Sequence, residues 1–170
     1  TLCEEIQETV ALAVWGTHGA TIVRIVDAGA PVTITLRAGT VLPLSNSATG
    51  RAFAAFFRSP YLKQLLDEEL RAAAETSKTA VTTLRRQLEK TLTEIREHGI
   101  SRPTGSLTPG INGFSAPVFD HSGHMVAAIT SLGSVGEFDV EWGSPVAKAM
   151  LAAAEKLSQR LGHNAAVISG

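Results

Sequence analysis

Cysteine is nearly absent: the 170 residues contain one, Cys3. It cannot close an internal disulfide or supply a multi-thiolate metal site, and such scarcity fits a reducing cytoplasm. Charge of one sign is missing as well. Fifteen Lys plus Arg against sixteen Asp plus Glu leave a formal net charge of -1, without the electrostatic footprint of a domain that grips nucleic acid by itself. No apolar run approaches the roughly 18–20 residues that cross a bilayer. The opening TLCEEIQETV is too acidic for a secretory signal, and with no initiator Met it reads as the start of a fragment or processed chain. What is present, 44% hydrophobic and 18% charged residues, suits one globular domain able to bury a core.

Residues 1–7 read as the end of a helix, with Leu2 and Ile6 four apart among acids. From residue 9 to 44 the text turns to short β-rich runs, TVALAVW, ATIVRIVDAG and VTITLRAG, with GTHG at 16–19 as a hairpin turn and DAGAP at 27–31 as a break. In SNSATGRAFAAFFRSP either Ser45 or Ser47 can cap a helix whose core face is Phe53, Ala54, Phe56 and Phe57, and Pro60 either stops it or starts the next. Leu62, Leu65, Leu66 and Leu70, then Val81, Leu84, Leu88, Leu92 and Ile95, keep helical spacing. Residues 99–113 hold no such period and form a loop. FSAPVFD and HMVAAITSLG, joined by HSG, read as a hairpin of two buried strands, and residues 140–161 as a closing helix stopped by Gly162 before a frayed tail. With no internal repeat, this order predicts one α+β domain, a mainly antiparallel sheet covered on both faces.

Chemical motifs are few. Asp120, His121 and Ser122 are triad residue types, but neighbours on a turn point apart and cannot form a relay. There is no G-x-S-x-G elbow, and SATGRA lacks the Lys-Ser/Thr of a phosphate-cradling loop. His121 and His124 are the one local histidine pair, read as solvated turn residues rather than metal ligands. Asp67, Glu68 and Glu69 read as a solvated helical face. No catalytic residue, metal or cofactor is therefore expected. A set of small and hydroxyl residues remains: Ser45, Ser47, Ala48, Thr49, Gly50, Gly113, Ser115, Thr130 and Ser131. Small residues at a helix start leave free N–H groups for an anion, although their commoner role is capping and tight packing.

In combination these segments become familiar. GINGFSAPVFDHSGHMVAAIT and SATGRA, with a closing helix ending KLSQRLG, resemble the C-terminal effector-binding domain of IclR-family bacterial transcriptional regulators. The first phrase is similar to the family's Gly-x-x-x-hydrophobic-Ala-Pro-Val-Phe-Asp, turn, Val-x-Ala-hydrophobic pattern, and the second to its Ser-x-x-Gly-Lys/Arg-Ala. The resemblance implies a GAF/profilin-like domain over residues 1–170, with residues 1–8 ending an inter-domain helix and a winged helix-turn-helix domain lying outside this chain. It implies a cytoplasmic dimer or tetramer that meets DNA only through that other domain.

It also implies an effector site at Ala48 and Thr49, whose N–H groups would face a carboxylate, with Gly113, Thr130 and Leu132 completing it. Thr130 and Leu132, two apart on a strand, share a face on spacing alone. Family members that bind small oxo-acids carry hydroxyls at both of those last positions and a polar or thiol residue at that of Gly113; here Thr130 alone keeps a hydroxyl. Pro103 stands about where a family Asp would contribute, with Arg102 beside it as a candidate counter-charge. Gly113 and Leu132 together favour a roomier, apolar pocket and an organic-acid effector larger than a two-carbon acid, such as an aromatic or branched one. Two other readings stand beside this one: a GAF-like thiol reductase, for which Cys3 is the sole thiol, and an oligomerisation module whose interior is filled by side chains.

Overall fold

A computed structural model describes residues 1–29, 36–103, 111–134 and 139–165. In chain order they form α1 (Leu2–Ile6), β1 (Thr9–Gly16), β2 (Gly19–Val26), α2 (Ala48–Phe56), α3 (Pro60–Ser77), α4 (Val81–His98), β3 (Ile111–Phe119), β4 (Met125–Ser134) and α5 (Pro145–Arg160). The strands make one antiparallel sheet in the order β2-β1-β4-β3. This is the expected α+β architecture.

Strand alternation assigns the two faces. Ala11 pairs with Thr130 and Ala13 with Ala128 across β1 and β4, while Ser115 pairs with Thr130 across β3 and β4, and directly opposed residues project to one side of a sheet. That side receives α2 and, behind it, α4 and α3. Its core holds Ala13, Ala128, Leu44, Phe53, Leu92 and Ile95, all buried, and Trp15 stacks on Phe57 at 4.8 Å. The other side presents Phe114, Ala116, Val118, Ala127 and Ile129 to Ala147, Met150 and Ala154 of α5, with Leu2 and Ile6 of α1 at the margin. Both faces are covered, which is why these strands read as nearly continuous apolar runs.

Several local expectations resolve. Gly16 and Gly19 close the β1–β2 hairpin. Ser47, not Ser45, caps α2, its Oγ accepting the Gly50 N–H at 2.8 Å, and Pro60 starts α3 behind the Ser59 cap. The DHSG turn is built by Asp120, whose Oδ1 accepts the N–H groups of Ser122 (2.8 Å) and His124 (3.1 Å), while His121 and His124 stay exposed.

Others are corrected. The closing helix begins at Pro145 rather than at residue 140. Proline lacks the N–H that a helix interior needs but suits its first position, so residues 141–144 turn first and Ser144 becomes the cap, accepting the Ala147 N–H at 3.1 Å. β3 starts three residues before Phe114. The third run, VTITLRAG, falls partly outside the described residues; its described end forms no strand, and residues 39–42 line the edge of β2 through Gly39 N–H to Ile22 O, Ile22 N–H to Thr40 O and Leu42 N–H to Ala20 O.

Candidate functional site

The first turn of α2 stands on the sheet under unusual constraint. A Cβ at Gly50 would overlap the Pro43 carbonyl oxygen and lie 2.7 Å from Leu44 Cα, so only glycine lets the helix start press against the 43–47 loop. The loop is held from behind by Glu69 of α3. Its carboxylate accepts the N–H groups of Leu44 and Ser45 and the Ser45 hydroxyl, all at 2.8 Å. Asp67 pairs with Arg85 at 2.8 Å. The acidic run is thus not a solvated face: of its three members Glu68 alone is exposed, because α3 packs its Asp67 and Glu69 edges against α4 and the loop.

From this turn a buried chain of hydroxyls crosses to the sheet. Thr49 Oγ1 and Thr130 Oγ1 lie 2.7 Å apart, and Thr130 donates to Ser115 Oγ at 2.9 Å. The three residues are at most 3% exposed. Ala48, one step earlier on α2, is half-buried. Gly113 and Leu132 are directly opposed two pairs beyond Ser115 and Thr130, on the same face. A Cβ at Gly113 would come within 2.6 Å of the Ser131 carbonyl oxygen and 3.0 Å of Leu132 Cδ2, so the Leu132 methyl already overlies the glycine. The structure therefore gathers Thr49, Thr130, Gly113 and Leu132 beneath the start of α2, with Ala48 at its edge.

Two residues missed by sequence reasoning complete the arrangement. Arg51 is 3% exposed; its Nη1 donates to Ser45 O at 3.3 Å and its Nη2 to Arg102 O at 3.4 Å, while its Nε has no partner. Among the described residues no carboxylate pairs with it. Burial lowers the guanidinium to about 10, still charged at neutral pH. Ser101 is fully buried, exchanges both backbone hydrogen bonds with Ser115 at 2.8 Å, and its Oγ is also without a partner. A signal for Arg51 was present in SATGRA, since a cation in the first turn of a helix opposes the macrodipole. Nothing in the loop sequence marked Ser101.

The sequence profile of the family described as bacterial transcriptional regulator IclR C-terminal matches residues 1–159. This chain belongs to that family. No curated protein sequence matches it, but solved structures do. HmgR of Pseudomonas aeruginosa is 36% identical with a TM-score of 0.83, covering 96% of this chain and 63% of its own. Thermotoga maritima IclR is 24% identical (TM-score 0.76; 95% of this chain, 64% of that one), and the Agobacterium tumefaciens repressor BlcR 22% (TM-score 0.73; 95% and 63%). The chain spans under two thirds of the length of these regulators.

As an IclR C-terminal domain, the chain carries the effector-binding fold of a transcription regulator. Further features flank its hydroxyl chain. Arg102 is half-buried rather than solvated: its guanidinium lies 4.5 Å over the Trp142 ring, and His98 stacks on that indole at 4.1 Å and 5°. Cys3 is buried in α1, and burial pushes its thiol up, away from the thiolate that redox chemistry requires. No described helix is long and apolar enough to cross a membrane.

Proposed function

We propose that this domain senses a small organic acid and thereby modulates DNA binding by a domain outside the chain, acting as a regulator rather than an enzyme. The observation that carries the reading is the hydroxyl chain Thr49–Thr130–Ser115, buried at the first turn of α2. Ala48 and Thr49 would offer N–H groups to the carboxylate, Thr130 would hold the Thr49 side chain in place, and Leu132 over Gly113 would form an apolar wall for the body of the ligand. Such a wall favours an aromatic or branched acid over a two-carbon one, and the sensor would act as a cytoplasmic dimer or tetramer. Coupling requires that the acid bind two states of the protein unequally.

Isothermal titration with a graded series from glyoxylate to aromatic acids tests this. Tightest binding by an aromatic or branched acid is expected; tightest binding by glyoxylate would overturn the size assignment. The ligand-free oligomerisation module has one observation in its favour, because Thr49, Thr130 and Ser115 are already hydrogen-bonded to one another. That reading predicts that no acid in the series raises the melting temperature. A thiol reductase has no such support: Cys3 is buried in α1, where its thiol donates to Val26 O at 3.5 Å, away from the hydroxyl chain.

A further inference from the structure

The polar groups around the start of α2 do not balance. Thr130 spends its one hydroxyl proton on Ser115, so Thr49 must donate to Thr130, and the chain ends on the Ser115 proton. Among the described residues that proton has no acceptor. Ser101 stands directly opposite Ser115 in an antiparallel bridge, so its side chain projects to the same side of the sheet, and its hydroxyl has no partner at all. Arg51, from the helix above, adds an Nε–H without an acceptor and a charge without a counter-charge, while its Nη2 holds the carbonyl of Arg102, the residue after Ser101. Native proteins seldom leave buried donors unpaired, and a buried charge without a partner is costlier still. Three such donors are thus brought to the α2 side of the sheet around residues 101 and 102, one of them cationic, and no carboxylate of the described residues pairs with that cation.

We infer that Arg51, Ser101 and Ser115 form a buried carboxylate subsite, in which Arg51 supplies the counter-charge and Ser101 selects the acceptor. The inference rests on the effector reading but narrows it, making Arg51 rather than Arg102 the residue that reads ligand charge. Arg102 is committed to Trp142 and lends its carbonyl to orient Arg51. A guanidinium suits this task because its rigid donor fork can face a carboxylate while two arms remain anchored. A neutral amide of the same shape would bring its own N–H donors and leave the cation uncompensated, so it is excluded.

The test uses formate, a carboxylate without a body, so that its outcome is independent of effector size. In a 15N–1H correlation spectrum of the 170-residue protein, the Arg51 Nε–H is assigned by its loss in Arg51→Lys and followed during titration with sodium formate, with sodium chloride at equal ionic strength and formamide as controls. Saturable movement with formate alone is expected, weakened about ten-fold in Ser101→Ala, the worth of one hydrogen bond to a charged group. Ser101→Ala removes an unpaired hydroxyl, so its melting temperature without ligand should equal or exceed the parent's, which separates lost binding from lost folding. An Nε–H indifferent to formate, or a titration unchanged by Ser101→Ala, overturns the subsite. Aromatic acids that bind the parent and Ser101→Ala equally would do the same while leaving the effector reading intact. Formate binding without any response to larger acids would keep the subsite and remove the proposed ligand size.

Discussion

At the scale of single residues, the site is governed by which groups have partners. Thr130 joins α2 to β3 through two hydroxyl contacts. Thr130→Val keeps the shape and strands both neighbours, so it should cost about 1–3 kcal/mol in urea unfolding, the usual penalty for an unsatisfied buried polar group. In a double-mutant cycle with Thr49→Val the two losses should be clearly less than additive, since the second substitution removes a bond already gone. Gly113 offers a sharper check. Its sequence context suggests space, yet a Cβ there meets the Ser131 carbonyl at 2.6 Å, so Gly113→Ala should destabilise by about 1–3 kcal/mol through overpacking. A thermal melt equal to the parent's would show that the strands part easily and that the pocket is looser than its side chains indicate. That Thr130 and Leu132 share a face was legible from strand alternation, a local pattern, whereas Thr49 and Gly113 joined them only through the family resemblance. Ser101 was not legible at all and Arg51 only as a cation misplaced in a first helical turn, because what distinguishes both is the absence of a partner, a property of the assembled fold.

At the scale of elements, α2 is placed by its neighbours more than by its own nine residues. Glu69, a full helix away in sequence, holds the 43–47 loop with three hydrogen bonds. Glu69→Ala should therefore cost about 2–4 kcal/mol, as two backbone N–H groups and a hydroxyl lose a charged acceptor, and amide exchange should speed up at Leu44 and Ser45 before it does in α4. Protection unchanged at those two amides would mean that Gly50 packing alone fixes the loop. Here the sequence misled for a physical reason: three consecutive acids look solvated when read as composition, while a helix turns successive residues 100° apart, so the two outer members can meet neighbours on either flank of an exposed middle one. The start of α5 was misjudged in the opposite way. Apolar residues from Val140 suggested helix, but the Ser144–Pro145 pair carries the stronger start signal.

At the scale of the molecule, the described strands and helices follow the order expected from the sequence apart from the third β-rich run, whereas the sheet order β2-β1-β4-β3 depends on long-range pairing that no local pattern specifies. The two tryptophans sit at separate stations. Trp15 packs among Phe53 and Phe57, and Trp142 lies against His98 and Arg102. Because Arg51 grips the Arg102 backbone, an acid that re-aims Arg51 should change Trp142 emission and leave Trp15 nearly unaffected. Fluorescence titration of Trp15→Phe should keep the signal and of Trp142→Phe should lose it; the reverse result would place the ligand elsewhere.

Strand β4 lies at the centre of the sheet and wears two sets of side chains. Thr130 reaches towards α2, while Ile129, on the adjacent peptide, is wedged into the layer of α5 and α1. The two residues share one planar peptide, so a guest that draws on Thr130 would act on a residue whose chain neighbour is packed in the opposite layer. α1 rests on that layer and runs directly into β1, which is hydrogen-bonded to β4. An effector seated under α2 would thus have a path of direct contacts to α1, through the thickness of the sheet and without any chain segment having to unfold.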